Sequence, residues 1–309
     1  MANLREIKGK IRAVGKTRQV TRAMEAVSAA KMRKAQERAI SARPYAVSAF
    51  RILRNLSQSI EKSKSPFMEK RPLIKPLIIL VTSDRGLAGS LNASVLKKVS
   101  AFIKEHQFSK QDVGFATIGK KGYEYFEKRG FTIVSHREKF ADAPTLEAIE
   151  DIAQLSFELF EKGDYSHVYV AYSNFISTFF QEPKLHEVLP LTFPNVDAMI
   201  QGITPAKGKY SELFTKEEAR EGAVAYTYEP SIDEVLRSSI MSLTVATIFH
   251  AVFEAKASEY SARMVAMRSA SDKALEMGQS LTLEYNKARQ STITREVSEI
   301  VGGVEALAN

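Results

Sequence analysis

From Ser231 to Asn309 the chain has no proline, and only Gly278, Gly302 and Gly303 interrupt a run of strong helix formers. At 1.5 Å per residue, an unbroken helix from Ile232 to Leu307 would be roughly 110 Å long. A compact domain of a few hundred residues is far narrower than that, so such a helix cannot be packed inside its own molecule. A helical pattern of this length suggests a coiled coil, a membrane span or a repeat. No fixed-period repeat is visible. Glu254, Lys256, Glu259, Arg263, Arg268, Asp272, Lys273 and Glu276 crowd one window and argue against a span. What remains is a shaft that projects into solvent or into a partner.

The other end of the chain supplies a second helix. Leu4, Ile7, Ile11 and Val14 recur at helical spacing, and the stripe resumes, slightly displaced, at Val20, Met24 and Val27. Such a drift is what a 3.6-residue helix shows against a strict heptad. The pattern predicts a helix over about 3–57, with Pro44 as a place to bend. Two long helices at opposite termini predict an antiparallel coiled coil of the chain's own ends, with a domain between them. The C-terminal stripe agrees, with Ile232, Val235, Ile240, Leu243, Ile248, Val252 and Phe253. A stretch of small residues follows, including Ala255, Ala257, Ser258, Ser261 and Ala262, where two helices can approach closely. Ile293, Val297, Ile300, Val301, Val304 and Leu307 are apolar again. The first helix is too short to cover them, so that end must find another partner or self-associate.

Charge is concentrated in the first helix. Residues 1–40 hold eleven Lys and Arg against Glu6, Glu25 and Glu37, an excess equal to the +8 of the whole chain. A basic rod attracts nucleic acid, anionic lipid or an acidic protein surface; it is equally what a solvated helix face looks like. The absence of cysteine excludes disulfides, thiolate zinc sites and cysteine nucleophiles. No signal-peptide core follows Met1, and the helical pattern of the first forty residues outruns any plausible transit-peptide cleavage point.

Between the termini the pattern alternates. Leu77–Val81, Val113–Ile118, Phe131–Ser135 and His167–Tyr172 read as strands. Ala88–His106, Lys121–Lys128 and Thr145–Lys162, opened by Pro144, read as helices. Glu187–Leu191 reads as an edge strand broken by Pro190. This order predicts a parallel α/β sheet. Residues 193–230 read as a loop or lobe. The domains predicted are therefore a 1–57 helix, a 72–230 α/β domain with trailing loops, and a 231–309 helix.

Three segments imitate phosphate loops. Gly15-Lys16-Thr17 sits mid-helix, with Gly9 one position too far upstream. Gly114–Lys121 ends in lysine where a Walker loop needs Ser or Thr, and its centre is a strand. Ser83-Asp84-Arg85-Gly86-Leu87-Ala88-Gly89-Ser90 follows a strand and opens a helix, the place where open α/β sheets bind ligands. It lacks a full G-x-G-x-x-G, and a tight turn needing glycine for positive φ explains it better. The histidines His106, His136, His167, His186 and His250 are scattered, and no G-x-S-x-G elbow occurs. These residues leave an α/β enzyme with a coiled-coil arm, or a nucleic-acid-binding coiled coil, as alternatives to a stalk.

Three segments carry a family resemblance. They are Lys10–Arg38, with Thr21–Val27 and Lys31–Lys34; Thr82–Gly89 with Asn92; and Ala262–Met267, followed by Tyr285–Gln290 and Ile293–Glu296. In these, and along its whole length, the chain resembles the gamma subunit of F-type ATP synthases. The resemblance implies an antiparallel coiled coil of the long N- and C-terminal helices plus a central Rossmann-like α/β domain. It implies a non-catalytic rotor with no cofactor and no metal. The coiled coil would stand in a hexamer of alternating alpha and beta subunits, and the α/β domain near an epsilon subunit and the membrane c-ring. Rotation would couple proton flow to conformational change in the catalytic beta subunits. By motif match, Met24 and Arg263 lie level with acidic beta loops. Arg289, Gln290 and Thr294 make polar contacts higher on the last helix, and Arg85 lies near the beta subunits. No nucleic acid and no membrane span of its own are implied. The expected location is the cytoplasmic face of a bacterial inner membrane, held peripherally. Two departures stand out. Lys273 follows Ala270-Ser271-Asp272 where the family usually has Asn, and the cysteine-bearing insert of chloroplast members is missing, so thiol regulation is not expected. A shaft that must turn should make breakable contacts, because exposed ion pairs contribute only about 0–1 kcal/mol each. The charges and small residues of Lys256–Lys273 are expected to serve that purpose.

Overall fold

The computed structural model describes residues 4–41, 66–69, 71–138, 145–191, 229 and 231–308. Helix α1 spans Leu4–Ser41. Strand β1 is Pro76–Val81, followed by α2 (Leu91–Glu105), β2 (Gly114–Ile118), α3 (Lys120–Glu127) and β3 (Thr132–Arg137). Then come α4 (Leu146–Glu161), β4 (His167–Phe175), β5 (Gln181–Leu189) and the last helix, α5, over Ile232–Ala308. The stretch of the first expected helix beyond Ser41, Pro44 included, lies outside the described residues, as do Pro144 and most of the expected 193–230 loop. The chain divides into two compact units, Met1–Ala29 with Arg263–Asn309, and Ala30–Ala262.

The second unit is built on a five-stranded sheet of order β3-β2-β1-β4-β5. β1 pairs in parallel with β2 and β4, and β2 with β3. The side chains of β1 alternate: Leu77, Ile79 and Val81 enter one core, Ile78 and Leu80 the other. Beside Ile78 and Leu80 lie Val95, Leu96, Val99 and Ile103 of α2 and Phe126 of α3. The opposite face takes Ile149, Ile152, Phe157 and Phe160 of α4, and Leu236, Ile240, Leu243, Ile248 and Val252 of α5. Both faces of the central strands are thus covered, which is why Leu77–Leu80 can be apolar without alternation. Thr145 caps α4 by accepting a bond from the Ala148 N–H, a role its sequence position did not reveal.

One strand differs from expectation. The edge strand is Gln181–Leu189, not Glu187–Leu191, and it runs antiparallel to β4, which continues to Phe175. Gln181–Glu187 is polar and contains Pro183, so it carries no strand signal of its own. Its pairing comes from a tight reversal, in which the Ser177 and Ile176 N–H groups donate to the Phe180 carbonyl. A two-strand hairpin closes this end of an otherwise parallel sheet.

The start of α5 also bears on membrane placement. A window of α5 has a mean hydropathy of 1.4, long and apolar enough to cross a membrane by composition, but 67% of it is buried inside the protein. The charge argument from Glu254–Glu276 does not reach this window. Its burial is that of a core helix seated on a sheet.

In the first unit, α1 and α5 lie antiparallel: Val14 approaches Gly278, and Glu284 favours the charged form of Lys10. Of the stripe expected for α1, Leu4, Ile7, Ile11, Val14 and Met24 are covered, but Val20 and Val27 are not. Ile7, Thr21 and Ser28 are buried, and Val14 half-buried, at a strict seven-residue spacing. Val20 and Val27 point outward at 57% and 55% exposure. Past Val14 the line passes to small and hydroxylated residues, Thr21 and Ser28, and the buried α5 residues Ser271 and Ala274 of the same unit are small as well. Nearer the N-terminus the same line is filled by larger residues, Ile7 and Val14. On α5 beyond Ala270 the covered positions 271, 274, 278, 281, 285, 288 and 292 follow an unbroken three-four alternation.

Two histidines on the sheet give a testable pH dependence. Burial, with Arg71 nearby, lowers the pKa of His167, although its Nε2 lies 3.4 Å from a Glu187 carboxylate oxygen. Burial and Lys184 lower that of His186, whose Nε2 has no hydrogen-bond partner. The unfolded chain then takes up these protons before the folded one does. Stability is therefore fully present above about pH 6.5, the ordinary histidine value, and declines as pH falls below it. Thermal melts of the full chain from pH 8 to pH 5 should show Tm beginning to fall near that point. The fall should be smaller in His186→Phe.

Candidate rotor contacts and the strand-end turn

The turn after β1 is the one place where sheet topology favours a ligand. Its polar groups are spent on one another. The Ser83 N–H donates to Asn92 Oδ1 at 3.0 Å, Asn92 Nδ2 donates to Ser83 Oγ at 2.7 Å, and that hydroxyl donates to the Arg85 carbonyl at 2.6 Å. The N-terminus of α3 is equally occupied. The Lys120 N–H donates to an Asp84 carboxylate oxygen, the Lys121 N–H to the Ser83 carbonyl, and the Gly122 N–H to Thr82 Oγ1. Those three N–H groups would otherwise meet a phosphate. The cleft beside them, lined by Ser83, Asp84, Asn92, Gly119, Lys256 and Glu259, has space of about 10 Å³, that of a single water. It does not admit a nucleotide.

Positive φ occurs in this turn as expected, but at Leu87 (64°) and Gly89 (57°) rather than at Gly86. A leucine in the left-handed region is uncommon. It projects its side chain, 62% exposed, beside exposed Arg85. The turn therefore presents a short Arg-Gly-Leu tip outward while its base is locked.

The remaining candidate residues lie on the long helices. Met24 is half-buried on α1. Arg263 is only 8% exposed, and Arg289, Gln290 and Thr294 are exposed. At 100° per residue, Gln290 and Thr294 share a helix face with Leu283, Val297, Val301 and Val304, opposite the seam of 281, 285, 288 and 292. Arg289 lies at the border of that face with Ile293 and Ile300. Beyond Thr292 every α5 residue with a described side chain is exposed, including Ile300 at 66% and Val304 at 62%. Arg85 belongs to the sheet-bearing unit, whereas the other five belong to the first.

The expectation of solvent-facing charges over Lys256–Lys273 holds only in part. Arg268, Asp272 and Lys273 are exposed, but Lys256, Glu259 and Arg263 are buried. Lys256 Nζ lies 3.8 Å from Glu259 Oε2. These charges serve the chain's own packing. Among the described residues no cluster of three metal-ligating side chains occurs.

Comparison with known proteins is consistent along the whole chain. The ATP synthase family model matches residues 3–307. The ATP synthase gamma chain of Roseiflexus castenholzii is 42% identical over 310 residues, covering 100% of this chain and 99% of that one. Among solved structures, a chain of the Euglena gracilis mitochondrial ATP synthase OSCP/F1/c-ring assembly superposes with a TM-score of 0.63 at 18% identity, covering 98% of this chain and 94% of that chain. A chain of the central stalk and c-ring of Tetrahymena thermophila mitochondrial ATP synthase gives 0.58 at 24% identity, covering 82% of this chain and 99% of that chain. The match of the family model to residues 3–307, with 42% identity to a gamma chain over the whole length, places this chain in the ATP synthase gamma chain family.

Proposed function

We propose that this chain is the rotary central stalk of an F-type ATP synthase and is not itself catalytic. It would couple proton flow through a membrane c-ring to conformational change in catalytic beta subunits. The observation that carries this is the far end of α5. Past Thr292 it has an apolar, exposed face that the described part of α1 does not cover. A helix end of that kind needs a surrounding partner, and an alpha/beta hexamer would supply a sleeve. The closed strand-end turn supports a non-catalytic α/β domain. Its outward Arg85-Gly86-Leu87 tip suits contact with the beta subunits. Met24 and Arg263 would act level with acidic beta loops, Arg263 from a mostly covered position. Arg289, Gln290 and Thr294 would make the upper polar contacts. Functionally the chain then divides into 1–57, 72–230 and 231–309. The epsilon subunit and c-ring would meet the α/β domain, and the complex would sit with this subunit on the cytoplasmic face of a bacterial membrane.

Reconstitution with matching alpha and beta subunits tests this. The full chain should assemble as one copy per hexamer and support ATP hydrolysis, and removal of 289–309 should weaken assembly. Arg289→Ala removes one exposed contact of about 1 kcal/mol or less, so coupling should change by about fivefold or less. Arg263→Ala strips a buried charge from its surroundings, and its effect on coupling should exceed about tenfold. A full chain that neither binds the hexamer nor alters its hydrolysis would refute the rotor assignment.

A further inference from the structure

A rotor whose sheet domain is carried on a helix must keep that helix from turning in its seat. The apolar contact between α5 and the sheet, through Leu236, Ile240, Leu243, Ile248 and Val252, is extensive. Turning the helix would expose that face, and bonds of fixed geometry sharpen the restraint. Directional restraint comes from the next two turns of α5. The Phe175 N–H donates to Glu254 Oε2 at 3.1 Å. Ser258 Oγ donates to the Ser173 carbonyl at 2.9 Å, and Ser261 Oγ donates to the Thr178 carbonyl at 2.7 Å. Residues 254, 258 and 261 are spaced four and three apart, so they form one line along the helix. All three are buried, at 8%, 0% and 0% exposure. Their partners are main-chain groups at the end of β4 and in the reversal to β5, which cannot swing as side chains do.

The hairpin is held from its other side as well. Gln181 Nε2 donates to the Ser177 and Thr178 carbonyls, so the reversal is rigid where Ser261 grips it. An adjacent line of α5, Ala257 and Tyr260, packs against Ala35 of α1, with Phe175 and Met32 beside them. Lys31 Nζ lies 5.6 Å from the Tyr260 ring centroid. Rotation of α5 about its own axis would break both lines at once.

We infer that Glu254, Ser258 and Ser261 form a torque clamp, positioning residues that fix the angle of the long helix against the sheet so that rotation passes between them without slip. This rests on the rotor reading above. The clamp contributes nothing to nucleotide chemistry. Its loss should appear when the rotor works against a load, and only weakly in unloaded hydrolysis.

The test uses the complete ATP synthase in liposomes, with this chain as wild type, Ser258→Ala/Ser261→Ala, Ser261→Ala alone, Glu254→Met or Glu254→Gln. ATP hydrolysis and ATP-driven proton uptake are measured together, without and with an opposing proton gradient. In the double variant and in Glu254→Met, hydrolysis should stay within about twofold of wild type. Protons moved per ATP against the gradient should fall at least about threefold, because the variants remove hydrogen bonds that hold the angle. Ser261→Ala should show a smaller fall and decides the matter if the double variant does not assemble. Glu254→Gln keeps an acceptor for the Phe175 N–H and should pump like wild type; a merely structural demand for charge would not be met by glutamine. Wild-type pumping ratios in every assembled variant, under load, would overturn the clamp. Failure of the wild-type chain to support hydrolysis or pumping would instead refute the rotor reading, so the two failures are distinct.

Discussion

Leu243→Asp should abolish folding of the sheet-bearing unit, whereas Leu283→Asp on the same helix should leave it intact. Leu243 is fully buried against the sheet, and Leu283 is 71% exposed. Truncating a core leucine costs about 2–5 kcal/mol. Burying a carboxylate without a partner adds several more. That sum approaches the about 5–15 kcal/mol that holds a typical domain together. At Leu283 neither cost applies in the isolated chain. There the substitution should appear only on assembly, as weaker incorporation with the alpha and beta subunits, because the proposed rotor role would force a charge against a partner on that face. Circular dichroism melts of the two variants, followed by assembly with the hexamer, check both halves. Equal melting temperatures for the pair would show that α5 is not seated on the sheet as described. Undiminished assembly by Leu283→Asp would show that this face meets no partner.

Gly119→Ala should be nearly as damaging, for a steric reason confined to one atom. Gly119 closes β2 with φ +96°, and an added Cβ would lie 2.0 Å from the Thr82 carbonyl oxygen. The obstacle is backbone at the end of β1, which also receives the Gly122 N–H on Thr82 Oγ1 and is tied to β2 by the Thr82 N–H donated to the Ile118 carbonyl. It cannot move aside without opening the sheet. Left-handed backbone costs a non-glycine residue about 1–2 kcal/mol, and overpacking commonly a further 1–3. Gly130→Ala is the matched control. Its φ is +77°, but an added Cβ there meets nothing within 4 Å. Only the conformational cost should remain, so chemical denaturation should show about 2–5 kcal/mol lost at Gly119 and about 1–2 at Gly130. Equal losses at both sites would mean that the strand ends are not packed as tightly as the geometry requires.

Much of the architecture was legible in the chain itself, for identifiable reasons. Leu77–Val81 is a short apolar run bounded by turn residues, and runs of that kind have few other uses. The terminal helices declare themselves by length without proline and by apolar spacing. The three resemblance segments located the family, and with it Arg289, Gln290 and Thr294 on an exposed face. The hairpin strand Gln181–Leu189 escaped because its polarity and Pro183 give no local signal; it is a strand only because β4 offers it a ladder.

Sequence by itself thus determined the terminal helices, the alternating core and the poverty of catalytic motifs, because each depends on local periodicity or residue type. Tertiary structure alone decided which residues form the seam between the helices. Valines at 20 and 27 were the stronger apolar candidates, yet Thr21 and Ser28 are buried, because they continue the seven-residue line of Ile7 and Val14 on the covered face of α1. Tertiary structure also turned Ser258 and Ser261 from spacers into hydrogen-bond donors to the sheet, and Lys256, Glu259 and Arg263 from apparent surface charges into buried ones. A hydroxyl or a charge takes its meaning from the group placed opposite it, and here those groups are about eighty residues away along the chain for the two serines. No local pattern encodes such a partner.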